Sequence, residues 1–545
     1  MMHFNNLIDD ILVLVLEDSI HESELSIGAW KRKLELLKVC SRWRQLLVPK
    51  VYADVVARVG TEDSRRGRYW LMDNWNHGYF DVVFTNAGLI AGNQQQHMAR
   101  RLFIYPTCIY NNVYGVDMVL ETLGMHCQVW PTICNISIHI SRKKTTVNTP
   151  RFTFDTVGGL AKEVADEMWK MFPSVKQLCL INQSSSFNGD SMFKKIVENY
   201  SRQTSWLVSD RKLFKGIAEF PVHMTHLDIP MTCKRTRHIP KIYAASLKFL
   251  RLTEVPQNYS WSCFIGTDST CFSNLKVLDI IYASAINTPV VKRRCKHRRH
   301  PIKFFGLQRL SIEGRFGRCC ILECSKFFGP LKDLRITGPA FNMDVLSENM
   351  LQTSSVTLAI DDKSGLTDAR ITSMLSDIGK KSNAHVSNIY AKTPDIVIDP
   401  VNLACFSLTN LVIHAPTDAQ QLLVFLEKFS CLEQVCLKSV TFRHIHQDAL
   451  LVRSGTFISQ PLEPLNTRVH SIYLKFNYYS EPGQNVDAFL AYLLLRAPKL
   501  RLLATEAEAL NSIGHIVDDY MPFYQHLQDT KLVNVNYIWR EDVFQ

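Results

Sequence analysis

The sequence predicts an α/β protein with two parts, a small helical head at the N-terminus and a long array in which helices alternate with strands. Two observations predict the array: a short pattern of apolar residues recurs along the chain, and amphipathic helices run directly into that pattern. A third observation, apolar residues at helical spacing before residue 52, predicts the head.

The head begins with a predicted helix within residues 7–16. The apolar residues that recur at helical spacing there are Leu7, Ile11, Leu14 and Val15. Asp9 and Asp10 lie in the first turn, where carboxylates interact favourably with the positive end of the helix dipole.

Two further short helices are predicted between residues 36 and 52. Their apolar faces consist of Leu36, Leu37 and Cys40 in one helix and of Trp43, Leu46 and Leu47 in the other. Pro49 is predicted to end the last helix, because proline lacks the N–H group that a helix interior requires. A cluster this small buries little apolar surface, so we expect it to pack against a partner or the following domain.

The pattern of these residues resembles the F-box, the adaptor-binding motif of SCF ubiquitin ligases. That motif runs Leu-Pro-x-(Glu/Asp)-Ile-Leu and then Leu-x-x-Val-Cys-x-x-Trp-Arg. The matching residues are Leu7, Asp10, Ile11, Leu12, Leu36, Val39, Cys40, Trp43 and Arg44. The chain departs from the family at Ile8, where the family has proline, and in the lengthened connection at residues 22–33.

The resemblance implies that the head, residues 1–58, docks a Skp-family adaptor and through it a cullin. The residues that it assigns to the docking face are Leu7, Ile8, Ile11, Leu12, Leu36, Val39 and Trp43. An alternative is that these helices only cap the array, since a repeat array needs a cover over its apolar end.

The composition is typical of a globular chain, with 46% hydrophobic and 21% charged residues. No run approaches the roughly 20 apolar residues of a membrane helix, and the N-terminus lacks the features of a signal peptide. The 15 cysteines have no regular spacing, which indicates reduced thiols in a cytoplasmic or nuclear protein. We expect no contact with a membrane.

Residues 59–130 are aromatic and irregular, and we interpret them as an irregular start or cap of the array. Candidate strands lie at residues 79–85 and 101–105. The array proper is predicted over residues 131–545.

The recurring pattern has apolar residues at its first, fourth and sixth positions. Copies begin at Ile133, Val175, Leu247, Leu275, Leu307, Leu331, Leu408, Leu432 and Val469, with a weaker copy at Leu500 and a degenerate one near Val356. Such alternation predicts short strands, because successive side chains of a strand point to opposite faces.

Three predicted helices end directly before a copy of the pattern. They cover residues 161–172, 418–429 and 486–497, and the next residue is Pro173, Ser430 or Pro498. Proline disfavours helix in the residue before it, so these joints turn a helix into a strand. Helix followed repeatedly by strand predicts parallel strands with helices on the outside.

The array resembles the leucine-rich-repeat proteins, whose repeats contain about 20 to 29 residues. The resemblance implies a horseshoe-shaped solenoid with its strands on the concave face. The asparagine or cysteine that usually follows the third apolar residue is absent after Leu252 and Ile280, so we expect an irregular array. A non-repeat α/β domain with several leucine-rich strands is the alternative.

Polar residues beside the strand leucines are candidates for contact with a target protein. They are Lys248, Arg251, Lys276, Asp279, Arg309, Lys332 and Arg335. Several are basic, which favours an acidic or phosphorylated partner. The identity of the target does not follow from the sequence.

The segment 292–303, within a predicted loop at 291–303, contains seven lysines and arginines and no acid, against a net charge of +11 for the whole chain. A nuclear localisation signal, a phosphate-binding patch and a solvated insertion are all consistent with it. Few aromatic residues interleave with these cations, so nucleic acid is a poorly supported partner.

No metal, cofactor or catalytic site is predicted. Cys295, His297, His300, Cys319, Cys320 and Cys324 lack the paired spacing of zinc ligands, so we favour incidental cysteines and histidines. His444 and His446 suit one face of a strand and not a helical metal pair. Phosphate-cradling, dinucleotide, zinc-protease and serine-hydrolase motifs are absent from the sequence.

These observations lead to two functional hypotheses. One is a substrate-recognition subunit of an SCF-type ligase, which raises the effective concentration of a target near the conjugating enzyme without being an enzyme itself. The other is a leucine-rich-repeat interaction scaffold with no ligase role, in which the N-terminal helices serve as a cap.

Overall fold

The computed structural model describes the chain in segments separated by gaps. These are residues 35–61, 73–76, 81–106, 112–140, 154–183, 187–210, 221–231, 239–257, 272–283, 304–316, 321–322, 328–340, 342, 345–346, 351–361, 366–382, 384, 386–391, 409–413, 417–441, 463–476, 486–505 and 525–534. The chain divides into two compact units, Met1–Thr253 (unit 1) and Glu254–Gln545 (unit 2).

Unit 1 combines a mostly parallel sheet with helices. Its helices are α1 (Ser41–Val51), α2 (Ala87–Gly92), α3 (Asn112–His126), α4 (Phe154–Met171), α5 (Phe187–Asn199) and α6 (Ile239–Ile242). Its strands are β1 (Asp54–Thr61), β2 (Asp73–Asn76), β3 (Asp81–Thr85), β4 (Arg101–Pro106), β5 (Asn135–Ile140), β6 (Gln177–Asn182), β7 (Trp206–Ser209), β8 (His226–Pro230) and β9 (Phe249–Val255), the last of which ends beyond the unit.

The strands of unit 1 follow one another in the sheet largely in chain order. β3 pairs antiparallel with both β1 and β2. On its other side β1 pairs in parallel with β4, and β4 to β9 continue as parallel neighbours. The helices α3, α4 and α5 contact one another in sequence.

Unit 2 has the same α/β composition. Its helices are α7 (Asp368–Ser382), α8 (Ala419–Lys428), α9 (Val486–Arg496) and α10 (His526–Asp529). Its strands are β10 (Val277–Tyr282), β11 (Arg309–Glu313), β12 (Leu331–Gly338), β13 (Thr353–Ile360), β14 (Val386–Ala391), β15 (Asn410–Ile413), β16 (Thr417–Asp418), β17 (Gln434–Thr441), β18 (Ser471–Phe476), β19 (Leu502–Thr505) and β20 (Lys531–Asn534). Within the described residues, the strand pairs of unit 2 are all parallel.

The apolar pattern builds these strands as predicted. In β6, for example, Leu178 and Leu180 are buried while Gln177 and Cys179 between and beside them are only partly covered. Val175, the first apolar residue of that copy, is buried just before the strand. The predicted α/β class with a mostly parallel sheet is therefore confirmed, and each unit is compatible with a solenoid-like arrangement.

The three helix-to-strand joints are confirmed. α4, α8 and α9 end at Met171, Lys428 and Arg496, directly before the residues that lead into β6, β17 and β19. α4 begins at Phe154, seven residues earlier than the sequence predicts. A helix tolerates glycines such as Gly158 and Gly159 at about 1 kcal/mol each, so their presence does not stop it.

Two boundaries at the N-terminus differ from the prediction. Pro49 does not end α1, which continues to Val51. The last turn is retained because Val51 is buried and because Tyr52 N–H donates to the Val48 carbonyl at 3.1 Å. The sheet begins at Asp54, so the last residues of the range 1–58 belong to β1 and not to a helix.

Candidate functional site

The described part of the head is held together by local hydrogen bonds. The Cys40 side chain caps α1, with Sγ accepting the Trp43 N–H at 3.5 Å. Arg44 Nε donates to the Leu37 carbonyl at 3.2 Å and so fastens the preceding turn to the helix. The sequence predicted Cys40 to be a packing residue and did not anticipate that it caps α1.

Apolar side chains of this segment divide into buried and accessible groups. Leu37, Leu47 and Val51 are buried. Val39, in contrast, is 57% exposed, and Trp43 is half-buried with no hydrogen-bond partner for its Nε1. Val39 thus presents apolar surface to solvent next to the buried side chains of the same segment.

Three of the seven predicted adaptor-binding residues lie in this accessible region: Leu36, Val39 and Trp43. The other four, Leu7, Ile8, Ile11 and Leu12, lie outside the described residues. The structure therefore describes three of the seven residues that the sequence assigned to the docking face.

In unit 1 the side of the sheet with partly exposed side chains carries a continuous row of residues in register. We call this row, which runs across seven strands, the Trp206 row; it consists of Asp54, Arg101, Asn135, Gln177, Trp206, His226 and Phe249. Its members interact sideways in pairs because register partners on neighbouring strands lie close together.

The character of these sideways contacts changes along the Trp206 row. Arg101 forms an ion pair with Asp54 at 2.5 Å, and Asn135 Nδ2 donates to Gln177 Oε1 at 2.9 Å. The row then becomes aromatic. The rings of Trp206 and His226 stack with centroids 4.5 Å apart and planes 15° apart, and Phe249 follows at 6.0 Å and 20°.

The predicted target residues Lys248 and Arg251 lie beside the aromatic end of this row. Lys248 is exposed and immediately precedes β9. Burial, together with the positive charge of Lys248, lowers the pKa of His226 below its usual range. Arg251 is paired with Asp228 at 3.9 Å and therefore adds little free charge.

A second polar cluster lies on the same side of the unit 1 sheet. The rings of Tyr105 and His139 stack at 5.4 Å, and the Ser137 hydroxyl and His139 Nε2 are 2.7 Å apart. Cys179 is the register partner of Ser137, and burial raises the pKa of its thiol. A protonated thiol is a poor nucleophile, so this cluster does not resemble an activated cysteine site.

The predicted target residues of unit 2 form ion pairs on the corresponding side of its sheet. Arg309 lies 3.7 Å from Asp279, and Arg335 lies 2.7 Å from Asp333. Arg309 and Asp333 are also register partners in β11 and β12. The remaining two predicted residues, Lys276 and Lys332, are exposed. Each arginine thus has a carboxylate nearby. The sequence analysis named one of these acids, Asp279, and did not name the other, Asp333.

The sequence analysis also missed a side-chain hydrogen bond between neighbouring strands that occurs in both units. Asn410 Nδ2 donates to Gln434 Oε1 at 3.0 Å, which repeats the Asn135 to Gln177 bond of unit 1. Both pairs join register partners at the start of neighbouring strands. The signal is present in the sequence as an asparagine and a glutamine directly before the fourth position of the apolar pattern, but recognising the pair requires knowledge of the strand register.

The residues weighed as zinc ligands, His444, His446 and the basic segment all lie outside the described residues. Within the described segments, no group of three or more His, Cys, Asp or Glu side chains is arranged to hold a metal ion. No helix in those segments has the length and hydropathy that a bilayer span requires.

Comparison of the sequence with models of known protein families and with curated proteins finds no match.

Proposed function

We propose that the chain is the substrate-recognition subunit of an SCF-type cullin-RING ubiquitin ligase. Its N-terminal segment docks a Skp-family adaptor, and the partly exposed sides of its sheets bind a target protein. Transfer of ubiquitin is performed by other subunits, so the chain acts by bringing its target to them and needs no catalytic residue of its own.

The observation that carries this proposal is the exposure of Val39. It belongs to the string Val39–Arg44 that matches the F-box, and 57% of it is exposed while Leu37 and Leu47 nearby are buried. A segment that serves only as a cap is expected to cover its apolar residues. Val39, accessible beside half-buried Trp43, instead supports a docking face that awaits a partner.

The rest of the described chain supports a target-binding role. The side chains between the buried strand positions form long rows of polar, charged and aromatic groups in both units. Such rows offer many adjacent contacts to a protein partner. The six described cysteines, from Cys40 to Cys436, are free thiols. Free thiols are usual in the cytoplasm and nucleus, where we place the protein.

A scaffold with no ligase role is the second candidate, and the burial of Leu47 and Val51 favours it. These side chains show that α1 packs inward, as a cap does. The two candidates differ in whether the accessible residues of the segment have a binding partner.

Co-purification of the full chain with a Skp-family adaptor tests the proposal. Val39→Asp is expected to reduce recovery of the adaptor by at least about tenfold, because a charge at an apolar interface is costly to bury. Val222→Asp is the matched control, since Val222 is an exposed valine of unit 1 outside the motif. Failure of the unaltered chain to recover the adaptor, while a known F-box protein recovers it, would leave the scaffold candidate.

A further inference from the structure

We propose that the aromatic end of the Trp206 row, together with Lys176 and Lys248, binds an extended acidic peptide. The peptide presents a carboxylate to the lysines and an apolar or aromatic side chain to the ring edges. This inference rests on the proposed function, because it assigns a chemical class to the target that the sheet surface of unit 1 receives.

The ring geometry defines the apolar half of the site. Trp206, His226 and Phe249 lie on three neighbouring strands and stack along the row. Rings stacked in this way cover one another's faces, so their edges remain for contact with a partner. Trp206 remains 37% exposed although it is one of the largest apolar side chains of the unit.

Two lysines define the charged half. Lys176 directly precedes β6, and its carbonyl accepts the Trp206 N–H at 3.2 Å. Lys248 directly precedes β9, and its N–H donates to the Thr225 carbonyl at 2.8 Å. Both side chains are exposed, and within the described segments neither lysine forms an ion pair. Lys176 therefore lies at the start of β6, the strand beside Trp206, and Lys248 lies at the start of β9, the strand that carries Phe249, so the lysines are at opposite ends of the ring stack.

The surrounding charges favour a carboxylate-bearing peptide over other anions. Arg251, on the same strand as Phe249, lies 3.9 Å from the carboxylate of Asp228, and this negative charge disfavours a second anion at that arginine. Single-stranded nucleic acid requires open ring faces on which bases stack. Here the faces of His226 are covered by Trp206 and Phe249, which disfavours that partner.

Selection from a random library of 12-residue peptides, displayed on phage and panned against the full chain, tests the proposal. Enriched peptides are expected to contain an excess of Asp and Glu together with at least one aromatic or large apolar residue. Trp206→Ala and Lys248→Glu are each expected to weaken binding of a synthesised enriched peptide by about tenfold or more. Lys248→Glu alters only an exposed side chain, so it keeps the test decisive if Trp206→Ala unfolds the protein.

Matched controls exist on the helices of unit 1. Trp169 on α4 is 38% exposed, almost the same as Trp206, and Lys162 on α4 is exposed. Trp169→Ala and Lys162→Glu are expected to leave peptide affinity within about twofold.

Four results would each overturn the proposal: no enriched peptide, enrichment without acidic residues, equal effects of test and control variants, or displacement of the peptide by a 12-nucleotide oligo-dT. Co-purification of the same variants with the adaptor distinguishes failure of the peptide proposal from failure of the proposed ligase function. If the adaptor still binds, only the assignment of the peptide class is lost.

Discussion

Both units contain a row of in-register side chains on the partly exposed side of their parallel strands, but the residue types in the two rows differ. In unit 1 the Trp206 row changes from an ion pair to an amide pair and then to an aromatic stack. The corresponding row of unit 2, in register with Arg309, consists of Val277, Arg309, Asp333, Ser355, Val386, Asn410, Gln434, Ser471, Leu502 and Lys531. It shares the amide pair and lacks the aromatic stack.

The comparison distinguishes strand positions whose residue type the fold constrains from positions where the residue type can vary. The buried strand positions are apolar in both units because they form the core. The Asn–Gln pair recurs because each such bond joins neighbouring strands without disturbing that core. Of the two rows, only the Trp206 row contains stacked rings, and it leaves Trp206 37% exposed, so this ring is a candidate for contact with a partner.

In both units, a side chain from another part of the chain donates hydrogen bonds to backbone carbonyls at the end of a helix. In unit 1 the Tyr200 hydroxyl donates toward the Met168 and Phe172 carbonyls, at 2.8 and 3.1 Å, at the end of α4. In unit 2 Asn466 Nδ2 donates to the Leu426 and Phe429 carbonyls, at 3.1 and 2.9 Å, at the end of α8. Each of these two side chains is buried.

The largest expected effect concerns a turn of unit 2 in which Gly314, Gly338 and Asn342 are in close contact. A Cβ at Gly338 would clash with Asn342 Nδ2 and lie 2.6 Å from the Gly314 carbonyl oxygen, while Asn342 Nδ2 already donates to that oxygen at 2.8 Å. Gly338→Ala is expected to lower the free energy of unfolding by about 3 kcal/mol, measured by urea denaturation. Gly92→Ala, with open space around it, serves as control and should change it by less than about 1 kcal/mol. Equal effects would contradict the account of this turn.

The next effect compares the two helix-end side chains. Asn466 makes four hydrogen bonds, because its Oδ1 also accepts the N–H groups of Arg468 and Val469 at 2.8 and 3.0 Å. Asn466→Ala is expected to cost about 2 to 3 kcal/mol and Tyr200→Phe about 1 to 2 kcal/mol in the free energy of unfolding. Thermal unfolding of both variants measures this. A Tyr200→Phe variant less stable than Asn466→Ala would show that the parallel is wrong.

A smaller effect depends on pH and lies on the helical side of unit 1. Burial, and then the nearby charges of Glu121, Glu167 and Glu163, raise the pKa of Asp117 to about 6. The folded state therefore holds this proton more tightly than the unfolded chain, so stability from this group is present below pH 4 and is lost as pH rises through about 6.

The variant Asp117→Asn is expected to lack this loss of folding stability at high pH, because asparagine does not ionise. Because Asp117 is only half-buried, solvent screening reduces the expected gain to about 1 kcal/mol at pH 7.5, with no gain near pH 3.5. Unfolding curves of the variant and of the unaltered chain at both pH values measure the difference. A gain of the same size at both would exclude the pKa as its cause.

The smallest effect concerns the ion pairs of unit 2. Arg309 and Arg335 have side chains 38% and 40% exposed, so water screens their attraction to Asp279 and Asp333. Arg335→Ala is expected to lower the free energy of unfolding by no more than about 0.5 kcal/mol. The slightly larger distance of the Arg309 pair predicts an even smaller effect for Arg309→Ala. A loss above about 2 kcal/mol in chemical denaturation would show that these pairs hold the sheet together.

Sequence patterns predicted many of the strands but left out β7 and β8, although the core positions of β8 are apolar. β8 follows the pattern with Met224 in place of a leucine, and Met224 is buried as the pattern requires. In β7 the corresponding positions are Thr204, Leu207 and Ser209, all buried, so periodicity alone could not reveal the strand. A buried strand position tolerates a polar residue when that residue is hydrogen-bonded, as Thr204 is to the Tyr200 carbonyl.

The candidate sites were less predictable than the fold for a physical reason. Lys248 and Arg251 could be identified from one strand, but the stack beside them requires Trp206, His226 and Phe249 to share one register position. That alignment depends on loop lengths between strands, which no local pattern encodes. The F-box resemblance assigned Val39 and Trp43 to the docking face but did not reveal that Leu37 and Leu47 of the same segment are buried.

A cross of two variants with two ligands tests most directly the central claim that head and sheet bind different partners. Val39→Asp and Trp206→Ala are each assayed for Skp-family adaptor binding and for binding of the selected acidic peptide. We expect Val39→Asp to lose the adaptor and retain the peptide, and Trp206→Ala to lose the peptide and retain the adaptor. Loss of both ligands in either variant, or of neither in both, would contradict the claim.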